Sequence, residues 1–387
     1  MAGKSADDVV VVDAARTPIG KFLGMHHGRS GVDLGVDALK GVLARTGLAP
    51  DKVDQVILGN ARGAGLGPNP GRQVAVRAGV PHERPAYTVN QACASGLRAL
   101  ILGAEQIRLG EADIVATGGA ESMTSVPFLL PRYRDGYKQG DAEVVDAMYR
   151  DGFLCPMAKK VMGATAETLA DRLKLGREAQ DAYAAVSQQR CEKARGEGRF
   201  AAEIVSSGTD ECPRDGVVAE KLGKLPPVFR KTGSVTAANS SAIADGAAFA
   251  LVARRSSAEK LGLPILARFE ASATVGVDPE VMGIGPVPAV QKLLARTGRA
   301  LGDYDLVELN EAFAAQVLAC LVDLPIDRAR LNVWGGSIAL GHPIGCTGTR
   351  IVATLLHQMK ALGARRGIAT LCVSGGLGVA ASFERET

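Results

Sequence analysis

Twice along its 387 residues, this chain runs from a loop of small residues into a helix and then into a strand that ends at a pair of glycines. The first passage closes with Asp113-Ile114-Val115-Ala116-Thr117-Gly118-Gly119. The second closes with Ile368-Ala369-Thr370-Leu371-Cys372-Val373-Ser374-Gly375-Gly376. Strands alternating with helices predict an α/β protein whose sheets are covered by helices. The recurrence predicts two similar α/β halves, with active residues at the seam between them. A chain of this length exceeds what a single hydrophobic core usually serves.

The periodicity places strands at 9–12, 53–58, 87–89 and 112–117, with helices at 32–44, 72–79 and from Cys93 to about Gly110. The glycine-rich loop 59–71 fits neither the dinucleotide fingerprint nor a phosphate-binding loop, because no Gly-Lys-Ser/Thr closes it. From 123 to 243, prolines, charges and aromatics break the rhythm around one clear helix at 178–195. That stretch is either an inserted, loop-rich subdomain with substrate contacts or a surface insertion of no function. The rhythm returns with strands at 306–309, 331–334 and 368–373, helices at 312–321 and 349–362, and a glycine-rich turn at 335–348. The expected division is a first half over 1–122, completed by 244–265, an insertion over 123–243 and a second half over 266–387.

Several classes are argued against. The net charge of +4 is small and dispersed, which does not suit nucleic acid. No apolar run approaches membrane-spanning length. Lys4, two aspartates and four valines make too short a core for a signal peptide, and the ending Glu384-Arg385-Glu386-Thr387 is no peroxisomal address. The seven cysteines contain no Cys-x-x-Cys pair, so disulfides and structural zinc are not expected and a reducing, cytoplasmic setting is.

Four residues carry the candidate chemistry. Cys93 lies in Val89-Asn90-Gln91-Ala92-Cys93-Ala94-Ser95-Gly96-Leu97-Arg98, where a helix start would favour its thiolate and small neighbours leave room for a substrate. Read alone it is a nucleophile or a buried structural cysteine. Among five histidines, only His342 sits in a segment made for close approach, the glycine-rich run from Gly335 to Gly348. Cys372 at a strand end is a proton carrier or core packing, and Asn310 orients a water or caps a helix. All four fall at strand ends or in the glycine loop after one, where open α/β sheets bind ligands. A metal site is not expected, since ligand spacing is missing.

On these stretches, together with Asp13-Ala14-Ala15-Arg16-Thr17-Pro18-Ile19-Gly20, Gly118-Gly119-Ala120-Glu121-Ser122-Met123, Met162-Gly163-Ala164-Thr165-Ala166-Glu167 and Asn310-Glu311-Ala312-Phe313-Ala314, the chain resembles the thiolase family from end to end. The resemblance implies the thiolase fold, two βαβαβαββ halves in an αβαβα layering with an inserted loop domain. It implies acyl transfer between CoA and a 3-oxoacyl-CoA, with Cys93 as nucleophile, His342 as its base and Cys372 as acid and base. Asn310 would hold a water that forms one oxyanion pocket with His342, and the N–H groups of Cys93 and Ser374 would form the other. Arg214, Leu225 and Ser241 would face CoA, and Met162 and Phe313 would line the acyl pocket. Coenzyme A is then a co-substrate, no cofactor or metal is bound permanently, and a homodimer or homotetramer is expected. Ser374 stands where many thiolases carry glycine, and Val161 where short-chain enzymes carry histidine. Two rivals are a ketoacyl synthase-like condensing enzyme, against which the second cysteine speaks, and a catalytically silent acyl-CoA-binding or assembly subunit, which would have lost one of the four side chains.

Overall fold

A computed structural model describes residues 5–386; Met1–Lys4 and Thr387, and with them part of the sequence reading of each end, lie outside the described residues. The strands of the main sheet are β1 (Val9–Arg16), β2 (Gly20–Lys21), β3 (Gln55–Gly59), β4 (Ala86–Val89), β5 (Ile114–Ser122), β6 (Ala244–Arg254), β7 (Ala267–Gly276), β8 (Leu306–Leu309), β9 (Arg366–Val373) and β10 (Leu377–Glu384). Most of β1, β5 and β6 reads as unbroken small or β-branched residues, as strands buried on both faces require. Their order is β8-β9-β10-β7-β1-β6-β5-β3-β4, with β2 beside β6.

The order contains the repeat. On one side of the β1–β7 join the strands run third, second, fourth, fifth, first in chain order. On the other they run second, fourth, fifth, first. The missing third strand survives as one parallel bridge between Val307 and Leu331. Only two residue pairs, Val10 with Arg268 and Val11 with Ala267, join the halves along the sheet.

Helices α1 (Gly31–Thr46) and α2 (Pro70–Arg77) cover the first half on one side, and α3 (Ser95–Leu109) covers the other. Ser30 and Asp33 cap α1 reciprocally, and Gly47 ends it in the left-handed conformation. Between β5 and β6 lie α4 (Met162–Leu173) and α5 (Arg177–Gly196). Helix α6 (Pro286–Thr297) covers the second half from outside, followed by α7 (Ala314–Asp323), the short α8 (Ser337–Leu340) and α9 (Ile344–Leu362). Every residue of α9 from Ile344 to Met359 is buried, because the helix packs on α3 and on strands of both halves. Helices α3 and α9 are thus the middle of an αβαβα stack.

Glycine lets these two helices meet at their first turns. A Cβ at Gly348 would lie 2.3 Å from the Leu97 nitrogen, and one at Gly96 would lie 2.6 Å from Thr349 Oγ1. Beside the crossing, Glu121 at the end of β5 is fully buried. It accepts hydrogen bonds from Asn60 Nδ2 and from the N–H groups of Ala61, Arg62 and Gly345. Burial pushes its carboxyl up, against the opposing pull of Arg62 and those N–H groups. Glu121→Ala, which strands four donors at the seam, is expected to cost about 3–5 kcal/mol, read as a lowered thermal midpoint with the fold retained.

Three local expectations need correcting. Residues 331–334 are not a strand: Leu331 makes the single bridge, and Asn332 (φ 46°) and Gly335 (φ 80°) turn the chain. The expected turn 335–348 already contains α8 and the start of α9. The two glycine pairs are not equivalent, since Gly118 and Gly119 lie inside extended β5 whereas Gly375 and Gly376 form a turn at φ 92° and 86°. Among the described residues, no helix is long and apolar enough to cross a membrane.

Candidate active site

Cys93 sits between β4 and α3 in a 3-10 turn over Ala92–Ala94, so the α-helix begins two residues after it. The turn is bent by Ala92, which holds a left-handed φ of 44°. That conformation costs a residue with a Cβ about 1–2 kcal/mol, and it is clamped from both sides. Asn90 Oδ1 accepts from the Ala92 N–H at 2.9 Å; Ser95 Oγ accepts from the Gln91 N–H at 2.9 Å and donates to the Ala92 carbonyl at 2.7 Å. Asn90 and Ser95 therefore build the turn that carries Cys93, a role the sequence did not reveal.

The sulfur packs against Ala61, Met123 and Ile344. Burial pushes the Cys93 thiol up; the N–H of Ser374, the Arg62 guanidinium and the N–H of Cys93 itself pull the other way. The thiolate expected from a helix start is thus outweighed by desolvation, and the resting group is a thiol. The two N–H groups that favour charge on this sulfur, those of Cys93 and Ser374, are the pair expected for one oxyanion pocket. Ser374 does not hinder this, because the left-handed positions of the turn fall on Gly375 and Gly376.

His342 enters from the equivalent loop of the second half, two residues before α9. Its Nδ1 lies 2.6 Å from Thr347 Oγ1, which is also 3.0 Å from the Pro343 carbonyl. The hydroxyl has one proton; given to the carbonyl, it leaves the oxygen to accept from Nδ1–H and puts the imidazole lone pair on Nε2. Nε2 is buried and has no partner. Burial, then the cations Arg350 and Arg62, hold the ring's pKa down to about 3, so the imidazole is a neutral base.

Asn310 follows β8 and is 1% exposed. Its Oδ1 accepts from Ser337 Oγ at 2.6 Å, while Nδ2 is buried and unpartnered. Its neighbour Glu311 accepts from Tyr183, Ser187, Asn332 and the Ile338 N–H, and so fixes the loop. Cys372, at the end of β9, packs in one apolar cluster with Met162 and Phe313. Its thiol is held well above the ordinary range by burial and then by Cys93, which also places it within electrostatic reach of the first sulfur.

Above these groups lies a cavity of about 430 Å³ whose wall includes His342, Ile344, Met162, Phe313, Ser241 and Arg214. Cys93 packs against its Ile344 and Met123, and Cys372 against its Met162 and Phe313. Leu225 is not among the lining residues: it is 37% exposed and its carbonyl accepts from Arg177. A wider depression of about 670 Å³, lined by both Lys52 and Arg84 and by Asp51 and Asp54, shares no residue with the cavity.

Two consequences can be measured. Iodoacetamide labelling of Cys93, followed by peptide mass spectrometry, is expected to rise with pH through and beyond the ordinary cysteine range. It should show no inflection at about pH 6–7, the ordinary imidazole range, because His342 is already neutral there. Arg62→Met removes a charge that favours the thiolate and should slow labelling at fixed pH. A thiolate already formed at neutral pH would contradict this electrostatic account.

The chain matches the description "Thiolase, N-terminal domain" over residues 9–256 and "Thiolase, C-terminal domain" over 263–385. It is 47% identical over 391 aligned positions to the acetyl-CoA acetyltransferase of Allochromatium vinosum, covering 98% of this chain and 99% of that one. The crystal structure of the Bacillus anthracis acetyl-CoA acetyltransferase superposes with a TM-score of 0.95 at 41% identity, covering 98% of this chain and 99% of that one. The human mitochondrial 3-ketoacyl-CoA thiolase, solved in complex with CoA, superposes with a TM-score of 0.96 at 38% identity over 99% of each chain.

Proposed function

The chain belongs to the thiolase family, and on that premise we propose that it moves an acyl group between CoA and a 3-oxoacyl-CoA through a thioester on Cys93. The observation that carries the proposal is two buried polar atoms without partners, His342 Nε2 and Asn310 Nδ2, in a site where two thiols are within electrostatic reach of each other and the N–H groups of Cys93 and Ser374 favour charge on the first sulfur.

In thiolysis, His342 Nε2 takes the Cys93 proton as the sulfur attacks C3 of the substrate. The N–H groups of Cys93 and Ser374 receive the charge that builds on the C3 oxygen. As that carbonyl reforms, the C2–C3 bond breaks, and the electron pair left on C2 is spread onto the thioester oxygen. Asn310, through a held water, and His342 stabilise that oxygen. Cys372 gives its proton to C2, and acetyl-CoA departs. The Cys372 thiolate then takes the proton of an incoming CoA thiol, whose sulfur attacks the acyl carbon on Cys93. The shortened acyl-CoA leaves and His342 returns its proton to Cys93. Run backwards, the sequence is a Claisen condensation of two acetyl-CoA molecules. Cysteine suits the first position because a thioester keeps its carbonyl electrophilic for the second attack.

Arg214 and Ser241 on the cavity wall support a CoA-facing side, and Met162 with Phe313 an acyl-facing one; Leu225 would contact CoA only beyond the cavity. The insertion over 123–243 would supply Arg214, Ser241, Met162 and Val161, and the half at 266–387 would supply Phe313, with the other half at 1–122 and 244–265. Exposed Phe128 (66%) and Tyr133 (70%) in that insertion support assembly as a homodimer or homotetramer. A cytoplasmic place in fatty acid metabolism fits the reduced cysteines. The test is CoA-dependent cleavage of acetoacetyl-CoA, with Cys93 alkylation abolishing it and acyl-CoA protecting. Cleavage that survives complete alkylation of Cys93 would refute the proposal.

A further inference from the structure

We propose that Ser337 is a positioning residue whose hydroxyl holds the Asn310 amide in the one orientation that turns Nδ2 toward the reacting thioester carbonyl. The inference rests on the function proposed above and adds a residue to it.

The two ends of a primary amide have nearly the same shape, so only bonding decides which of them is the donor. Here the polarity can be traced to its source. Arg350 is buried and can only donate, and its Nη2 bonds Ser337 Oγ at 2.7 Å. That bond occupies the serine oxygen as an acceptor and leaves its single proton for a neighbour 2.6 Å away, Asn310 Oδ1. A flipped amide would set N–H groups against that proton. The order arginine, serine, carbonyl oxygen therefore leaves Asn310 Nδ2 as the free donor end, and that atom is buried without a partner among the described residues.

Both ends of the relay are anchored. Arg350 Nη1 lies 3.7 Å from Glu308 Oε2, and Gln358 Nε2 donates to the other Glu308 oxygen at 2.8 Å. Ser337 is the first residue of α8, whose next N–H, from Ile338, donates to Glu311, the residue after Asn310. The strand-8 loop and α8 are thus joined by two adjacent rungs, one fixing the backbone and one fixing the amide. Ser337 is fully buried and its hydroxyl is already engaged, by Arg350 on one side and Asn310 on the other, so it acts through the amide and not on the substrate.

The arrangement predicts a split between the two half-reactions. Acyl exchange between acetyl-CoA and another thiol needs charge stabilised only at the carbon bonded to Cys93, where the Cys93 and Ser374 N–H groups act. Breaking or making the C2–C3 bond also needs the Asn310 donor. Ser337→Ala is expected to lower kcat for acetoacetyl-CoA thiolysis about tenfold to a hundredfold. KM, and the rate of acetyl exchange between acetyl-CoA and dephospho-CoA, should stay within about twofold. Ser337→Cys, close in size but a weak donor, should show the same split and covers the case in which the alanine variant folds poorly. Because Ser337 acts through Asn310, the double variant Asn310→Ala/Ser337→Ala should be no slower than Asn310→Ala alone. The role is overturned by unchanged thiolysis in both Ser337 variants, by equal losses in the two half-reactions, or by losses that multiply in the double variant. A wild-type protein that exchanges acetyl groups yet never cleaves acetoacetyl-CoA overturns the proposed function instead, and is recognised before any variant is made.

Discussion

Cys93→Ala is expected to lower thiolysis by about 10⁴-fold or more and to abolish the acetyl adduct that acetyl-CoA leaves on the wild-type protein. The size of the effect follows from what remains. Without the sulfur, C3 of the substrate meets no nucleophile; the N–H groups of residue 93 and Ser374 still polarise its carbonyl, but no bond forms to exploit this. His342 is not expected to substitute, because the Thr347 contact at Nδ1 fixes the ring where it is. Cys93→Ser is the stricter comparison. It keeps an attacking atom, but a hydroxyl is a much weaker acid than a thiol, and a base whose pKa lies near 3 is poorly matched to it. Its ester would also resist the second attack by CoA. Serine should therefore fall nearly as far as alanine, with any adduct that forms persisting rather than turning over. Intact-protein mass spectrometry after incubation with acetyl-CoA reads both outcomes. A variant lacking sulfur that still turned over at more than a hundredth of the wild-type rate would exclude a thioester on residue 93.

How far the site was legible from sequence depended on whether its signal was local. Cys93 and His342 stood out because both are embedded in small residues, and the structure shows why: each leads into one of the two helices that cross on Gly96 and Gly348, where larger side chains would force the helices apart. The two residues occupy corresponding loops of the repeat, which is how distant segments reach one place. The supporting groups carried no such mark. Ser337 and Thr347 are ordinary hydroxyls until the fold sets one against Asn310 and the other against His342. Arg62 lies in a loop that reads as glycine-rich and featureless, yet its charge acts on Cys93, Glu121 and His342 together.

The misreadings have the same origin. A helix start near Cys93 suggested a thiolate, but the helix dipole is a term of about 0.3–1 kcal/mol at ordinary exposure, and the packing that outweighs it comes from Ala61, Met123 and Ile344, far away in sequence. Gly118-Gly119 and Gly375-Gly376 look alike as letters. One pair is held extended between neighbouring strands, whereas the other turns between two antiparallel strands. Val333 and Trp334 favour a strand, but Asn332 bonds back to both Leu309 and Glu311 and turns the chain before pairing can extend beyond Leu331.

Cys372→Ala is expected to separate the two halves of the reaction. Its thiol is raised well above the ordinary range by burial and by the neighbouring sulfur, so at neutral pH it is a proton donor in waiting rather than a nucleophile. That is the state required when the C2–C3 bond breaks and C2 must be protonated before acetyl-CoA can leave. Removing the donor should lower kcat for thiolysis about 10³-fold. The transfer of an acetyl group from acetyl-CoA to Cys93 reverses the CoA attack, in which Cys372 handles only the CoA proton; CoA can leave as a thiolate without it, so the acetyl adduct should still form on the variant, more slowly, and accumulate. Cys372→Ser tests the acidity itself: a hydroxyl of similar size fills the place among Met162, Phe313 and Met282 but is a far poorer acid, and should recover little of the lost rate. Raising the pH cannot rescue either variant, because the deficiency is a missing proton and not an excess one. Loss of the adduct together with thiolysis would mean that acyl transfer depends on Cys372 as strictly as carbon protonation does. Wild-type thiolysis by the alanine variant would remove it from the mechanism and leave C2 to be protonated by water reaching the cavity.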